Sequence, residues 1–231
     1  MLRTGIADHM HQPYVRHVTS SERGARWPAA MFGAMRGVEH IPWLYDGFMA
    51  LCERGGFGRW RRWLVDGARG RTLDIGTGTG RNLPLYDGTT QVVALELHRD
   101  SLRAARRRAP HVPMVLGDAE ALPFRSGAFD TVVSGLVFCS VNDPITGLRE
   151  VRRVLTPGGK LRMLEHVRSG SRLGAWWQDR IQPAWTWLAG GCRPNRNTEA
   201  NVRAAGFTID PETYRARHDM RRFEARLKER E

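Results

Sequence analysis

Asp74 sits in a short apolar run, Thr72-Leu73-Asp74-Ile75, and glycine follows at positions 76, 78 and 80. A stretch of this kind ends a strand and turns at once. Glycine permits the turn, and without Cβ atoms the backbone can be approached closely by a ligand. A helix starting beyond the turn would aim free N–H groups at an anionic ligand group. A dinucleotide site would want its third glycine at position 81, where Arg81 stands. Asp74 would also repel a pyrophosphate. It suits instead a ligand carrying an ammonium group beside a carboxylate, which is an amino acid.

Two further acids extend the pattern. Glu96 ends the run Gln91-Val92-Val93-Ala94-Leu95 and can accept from a pair of ribose hydroxyls. Asp118, in Leu116-Gly117-Asp118-Ala119-Glu120, can accept from an adenine amino group, and the backbone N–H that follows can donate to a ring nitrogen. Ser134 and Gly135 close a fourth apolar run and would lie beside a sulfonium. Each acid alone reads equally well as a cap or a surface charge. Three at successive strand ends, after this turn, spell S-adenosylmethionine, with S-adenosylhomocysteine as the product. The candidate cofactor set is therefore Asp74, Gly76, Thr77, Gly78, Gly80, Asn82, Glu96, Leu97, Asp118, Ala119, Glu120, Ser134 and Gly135.

The acceptor side is read from His166, Tyr45, Cys139, Trp177 and Trp185. His166 and Tyr45 are the candidate catalytic residues, and the other three are candidates for the acceptor pocket. Methyl transfer is an in-line displacement in which positioning supplies most of the gain. A base is needed only if the acceptor must lose a proton near the transition state. His166 could instead satisfy a backbone carbonyl, and Cys139 could be a buried small hydrophobe. His9-Met10-His11 has no carboxylate or cysteine partner at ligand spacing, so no metal site is expected.

Apolar runs alternating with helical patterns must position these residues. Strands are expected at Arg71 to Ile75, Gln91 to Glu96, Val112 to Leu116, Phe129 to Ser134, Lys160 to Glu165 and Phe207 to Tyr214. Helices are expected at Arg59 to Val65, after Gly80, at Asp100 to Arg108, from Pro144 to about Leu155, at Gly174 to Ala189 with an interruption at Pro183, and from about Asn197 to Ala205. Phe223, Ala225 and Leu227 alternate like a half-buried strand while Arg221 to Glu231 could also form a charged helix; an antiparallel final strand is the expectation. The fold class is α/β, a seven-stranded, mostly parallel sheet with an antiparallel final strand and helices on both faces. Residues 1–66 are expected to form a flexible arm and helical lid, and 67–231 the main domain.

The 231 residues carry a net charge of +12, almost all of it arginine, since Lys160 and Lys228 are the only lysines. Nucleic acid, an anionic membrane surface or plain arginine bias each account for it. No apolar run is long enough to span a bilayer, and Met1 to Ser20 carries no signal h-region. Three scattered cysteines, Cys52, Cys139 and Cys192, read as a reduced, cytoplasmic compartment.

From residue 41 onward the chain resembles class I S-adenosylmethionine-dependent methyltransferases of the type 11, ubiquinone/menaquinone-biosynthesis kind. The resemblance rests on Leu73 to Gly80, Gly117 to Phe124, Phe129 to Ser134 and Arg153 to Lys160. It implies a Rossmann-like fold and use of S-adenosylmethionine. Leu136 to Val141, Glu165-His166-Val167, Gln182 to Trp185, Gly190-Gly191-Cys192, Asn195-Arg196 and Ala205-Gly206-Phe207 narrow it. They are similar to membrane-associated proteins that methylate small alkyl thiols and to bacterial phospholipid N-methyltransferase-like proteins. Tyr45-Asp46 resembles a pair that closes over the cofactor in many relatives. The resemblance implies a small, lipophilic acceptor (a thiol, phenol or quinol, amine or phospholipid headgroup), while the arginine and tryptophan content points to peripheral contact with an anionic membrane. Two rivals stand beside it. A nucleic-acid methyltransferase is suggested by the charge, but Ser134-Gly135-Leu136 replaces the Pro-Pro-aromatic grip that amino-methylating enzymes place after strand four. The other is a cofactor-binding scaffold without catalysis. The oligomeric state is not indicated.

Overall fold

The structure is a computed structural model and describes residues 56–188 and 191–228. In chain order the elements are α1 (Gly58–Asp66), β1 (Arg71–Ile75), β2 (Gln91–Glu96), α2 (Arg99–Arg108), β3 (Met114–Leu116), β4 (Phe129–Gly135), α3 (Pro144–Val154), β5 (Leu155–His166), α4 (Arg172–Leu188), α5 (Thr198–Ala204), β6 (Phe207–Ile209), β7 (Arg215–Arg217) and β8 (Met220–Leu227).

Seven strands form the sheet in the order β3-β2-β1-β4-β5-β8-β6, and β7 pairs on β8 as an eighth. Strands β1 to β5 run parallel, and β8 is inserted antiparallel between β5 and β6. This is a Rossmann-like sheet. The expected seven-stranded, mostly parallel sheet is present, and β7 is added to it as a short ribbon partner of β8 that turns back through His218 at φ 49°. The expected sixth strand stops at Ile209 because Asp210-Pro211 opens a turn, closed by the Tyr214 N–H on the Asp210 carbonyl.

Strand alternation sends neighbouring residues to opposite faces. Val132 enters the larger core, with Leu73, Ile75, Leu161 and Met163 against Leu148, Val151 and Val154 of α3 and Val202 of α5. Val133 and Leu164 meet Leu64 and Ala68 of the α1 segment on the other face, where Ala94 and Met114 also meet Ala105 of α2. Helices therefore cover both faces.

Three elements differ from expectation. No α-helix follows Gly80; Pro84 and the turn at Asp87-Gly88 leave room only for a 3-10 turn, Leu83–Leu85. Helix α4 runs unbroken through Pro183, although proline removes one helix donor. The Pro157-Gly158-Gly159 turn is absorbed into β5, where Gly158 takes φ 79°. Helix α3 starts as the sequence suggests. Asp143 Oδ1 accepts from the Ile145 and Thr146 N–H groups at 3.0 and 3.1 Å, with Pro144 at the first helical position.

Candidate functional site

The carboxyl ends of the five parallel strands share one edge of the sheet. Ile75 is level with Leu95 and Ser134, Glu96 with Leu116, and Gly135 with Leu164. Asp118, Glu96, Asp74, Ser134 and His166 thus follow one another along that edge in strand order. With strands about 4.8 Å apart, the row spans about 19 Å. The residues after β3, β2, β1, β4 and β5 can therefore serve successive parts of one elongated ligand.

At the centre, Asp74 is fully buried. Its Oδ2 accepts from the Tyr86 hydroxyl at 2.7 Å and the Asn82 amide at 3.1 Å. Arg61 of α1 donates to Asn82 Oδ1 at 2.7 Å, which fixes which end of the amide faces Asp74. Asp74 Oδ1 and Thr77 Oγ1 are both buried without a hydrogen-bond partner. Thr77 is close enough to lower the Asp74 carboxyl but makes no bond of ordinary geometry with it. Burial nevertheless pushes that carboxyl up to about 6, against the pull of Tyr86, Asn82 and Arg61. Unmet buried oxygens at this depth carry a penalty that a ligand donor would remove.

The turn has left-handed backbone at Gly76, Gly78 and Gly80. A Cβ on Gly76 would strike Val137, and one on Gly80 would strike Ala105 of α2. Gly78 differs: beyond it lies open space, apart from the Gly76 carbonyl at 4.0 Å. A pocket opens there, lined by Phe57 and Leu64 of the α1 segment, Gly76, Gly78, Gly135 and Leu136. A donor set of buried carboxylate, hydroxyl and bare turn fits the amino-acid end of S-adenosylmethionine.

Glu96 is buried, and each of its oxygens accepts one backbone N–H, from Gly78 at 2.9 Å and His98 at 2.8 Å. It braces the glycine turn and keeps further lone pairs for hydroxyl donors. Leu97 beside it is 40% exposed and offers an apolar surface at the edge. Asp118 Oδ1 accepts from the Glu120 N–H at 2.9 Å, and Ala119 is buried beneath. Glu120 Oε1 is taken by the N–H groups of Asn142 and Asp143 at 2.9 and 3.1 Å. Its side chain thus holds the loop before α3.

Ser134 is fully buried, and its hydroxyl donates to Glu165 Oε1 at 2.9 Å. The same carboxylate accepts from the N–H groups of Val137, Phe138 and Cys139 at 3.1, 3.1 and 3.3 Å. Four donors converge on Glu165, while burial pushes it up to about 7. Glu165 shapes the turn after Gly135, in which Leu136 takes a left-handed φ of 63° and donates to the Leu164 carbonyl at 2.8 Å. An outlier of this kind persists only where its surroundings hold it.

His166 lies half-buried at the end of β5, its ring edge-on to Trp185 with centroids 6.3 Å apart. Its Nδ1 is 3.7 Å from Cys192 Sγ. Cys139 is buried one turn away, and its carbonyl accepts the Arg193 N–H at 2.9 Å. Trp177 does not join this group. It stands 55% exposed on the outer side of α4 against Trp176, because Gln178 turns inward to bond Val167 and Ser169. Its expected place in the acceptor pocket is corrected accordingly. Tyr45 lies outside the described residues, as does most of the expected arm.

The sequence assigned no site role to Tyr86, Arg61, Glu165, Cys192 or Arg196. No local pattern marks Tyr86 and Arg61. Glu165, Cys192 and Arg196 stand in the stretches Glu165-His166-Val167, Gly190-Gly191-Cys192 and Asn195-Arg196 that carry the resemblance, but spacing does not say what they touch.

A methyltransferase domain family model matches residues 73–163. A demethylmenaquinone methyltransferase of Renibacterium salmoninarum is 38% identical over 126 residues, 52% of this chain and 53% of that protein. The thiol S-methyltransferase TMT1A of Homo sapiens is 30% identical over 173 residues, 71% of each chain. Among solved structures, an S-adenosylmethionine-dependent methyltransferase from Mesorhizobium loti superposes with a TM-score of 0.56 at 18% identity, covering 72% of this chain and 95% of that one. The chain spans about half the length of the demethylmenaquinone methyltransferases it matches. The fold is that of class I methyltransferases. The chain belongs to the S-adenosylmethionine-dependent methyltransferase family, whose methyl donor is S-adenosylmethionine.

Proposed function

We propose that this protein transfers a methyl group from S-adenosylmethionine to a small lipophilic acceptor, a thiol or a quinol foremost. The observation that carries the reading is the pair of unpartnered buried oxygens, Asp74 Oδ1 and Thr77 Oγ1, at the head of a bare glycine turn. Bound there, S-adenosylmethionine supplies an electrophilic methyl group. In this reading Asp74 holds its ammonium, with the Gly76 to Gly80 turn, Thr77 and Asn82 around it. Glu96 and Leu97 hold the ribose. Asp118, Ala119 and Glu120 serve the adenine, the last two through the backbone. Ser134 and Gly135 keep the turn beside the sulfonium small.

The acceptor then lies towards β5, where His166 can take a proton from an acceptor that must lose one and Cys139 and Trp185 wall the space. The names of the relatives support quinone-type and thiol acceptors. So does α4, which exposes Leu173, Trp176, Trp177, Ile181 and Trp187. Among the described residues no helix is long and apolar enough to cross a membrane. A tryptophan-rich, arginine-flanked face instead suits the surface of an anionic bilayer, from which a lipophilic acceptor could be drawn.

A methyl-incorporation screen across thiols, phenols, quinols, amines, phospholipids and RNA tests the proposal. Turnover is expected on a thiol or quinol. Incorporation into RNA alone, or into nothing while S-adenosylhomocysteine binds, would replace the reading by the nucleic-acid or the scaffold alternative.

A further inference from the structure

Cys139 and Cys192 are 53 residues apart in sequence, and the fold places them side by side. The Arg193 N–H bonds the Cys139 carbonyl at 2.9 Å, so the backbones of the two cysteines run at hydrogen-bonding distance. The chain segments that carry the two cysteines are thus held against each other, the proximity a disulfide requires. Arg196 locks the same contact by donating from one guanidinium nitrogen to the carbonyls of Phe138 and Val141. Neither cysteine is in a disulfide in this structure.

The surroundings of Cys192 Sγ are made of donors. His166 Nδ1 from β5 is 3.7 Å away. The Trp185 indole N–H of α4 is buried, has no hydrogen-bond partner of ordinary geometry and acts on the Cys192 sulfur. Arg196 adds its charge from the loop before α5, while Glu165, the acid that faces Cys139, is engaged by four donors. The Cys139 thiol is the remaining neighbour and interacts with the Cys192 sulfur. Donors converging without an acceptor favour a thiolate. The Cys139 interaction, the largest cause, together with His166 and Trp185 pulls Cys192 down against the effect of its burial, whereas the same interaction and burial push Cys139 up. Cys192 is half-buried and reachable; Cys139 is 1% exposed.

We propose that Cys192 is a peroxide-reactive site resolved by Cys139, forming a reversible intramolecular disulfide at the β5 end of the sheet. The Cys192 thiolate attacks one oxygen of a hydroperoxide, the O–O bond breaks, and Cys192 becomes a sulfenic acid while hydroxide or alkoxide leaves. The Cys139 sulfur then attacks the Cys192 sulfur, an S–S bond forms, the S–O bond breaks, and the thiol proton departs with the oxygen as water. With hydrogen peroxide the net change is two thiols and one peroxide to one disulfide and two waters. A dithiol reverses it by two exchanges. Oxidation would withdraw the sulfur that now faces His166 Nδ1. Any effect on acceptor turnover rests on the proposed function; the covalent chemistry does not.

The test uses the full chain with Cys52→Ser, which leaves two thiols. Hydrogen peroxide followed by N-ethylmaleimide is expected to give a protein that takes up no maleimide, contains a peptide joining 139 to 192, and recovers both thiols with dithiothreitol. With Cys139→Ser added, Cys192 should stop at a sulfenic acid that dimedone captures. With Cys192→Ser instead, Cys139 should keep its thiol. Two maleimides per chain after peroxide, disulfides only between chains, or oxidation of Cys139 without Cys192 would overturn the proposal. Alkylation of Cys192 by iodoacetamide in the unsubstituted chain is an independent readout. Its rate should rise less steeply with pH than that of an ordinary thiol, which gains at least about a hundredfold between pH 6 and 9. A rise of the latter size would also overturn it.

Discussion

Asp74 Oδ1 has no partner and its carboxyl is held up to about 6 by burial, so its proton competes with any ammonium group for the same place. The sign follows directly. Below pH 6 the free site carries a proton that binding must expel; above it the carboxylate is ready. Affinity for S-adenosylhomocysteine should therefore fall about tenfold per unit as pH drops below 6 and be level from 7 to 8. Asp74→Asn should remove that slope and weaken binding by about 10- to 100-fold at pH 7.5, the worth of a charge-assisted hydrogen bond. Titration calorimetry at three pH values checks both, and a slope retained in the variant would refute the assignment. The unliganded fold responds to the same group. Its carboxyl is raised from 3.8, so its contribution to stability is full below that value and is lost as pH rises through about 6.

Glu165 organises an element rather than a contact. One carboxylate gathers Ser134 of β4 and three N–H groups of the following turn, and so sets where that turn faces the site. Glu165→Gln keeps the shape but puts an amide N–H against a donor. It should lower stability by about 1–3 kcal/mol, read as a lower urea midpoint with an unchanged slope. An unchanged midpoint would show that the cradle contributes nothing. Arg162 plays a related part for α1. It is buried on β5, pairs with Glu224 of β8, lies 4.2 Å from the Trp63 ring and donates to the Leu64 and Trp63 carbonyls. Arg61 depends on that anchorage to reach Asn82. At this scale the strands were legible, since β1 and β2 are short apolar runs with clear breaks, and the glycine turn announced the cofactor. The missing helix after Gly80 was not, because Pro84 and the demand of Asp74 for Asn82 act against a local pattern that reads helical. The Cys139–Cys192 contact was invisible for a different reason: spacing says nothing of partners that only folding brings together.

Across the whole molecule, strand order converts separate motifs into one row, from Asp118 at β3 to His166 at β5. The sequence carried that row as far as His166; beyond it, Trp177 turned outward and Cys192 took a place beside His166 that spacing did not assign. On the proposed reading, the exposed face of α4 and the +12 charge would act together at a membrane surface. Binding to vesicles containing anionic lipid should weaken several-fold between low and physiological salt, and Trp177→Ser with Trp187→Ser should weaken it further without changing S-adenosylhomocysteine affinity. Equal sedimentation with neutral vesicles would refute a charge-steered surface. The central claim is that the glycine turn with Asp74 and Glu96 is the cofactor site, and titration calorimetry with S-adenosylhomocysteine at pH 7.5 tests it most directly. The account predicts one site per chain, and at least about tenfold weaker binding in each of Asp74→Ala and Glu96→Ala with folding intact. Binding that survives unchanged in both variants would contradict it.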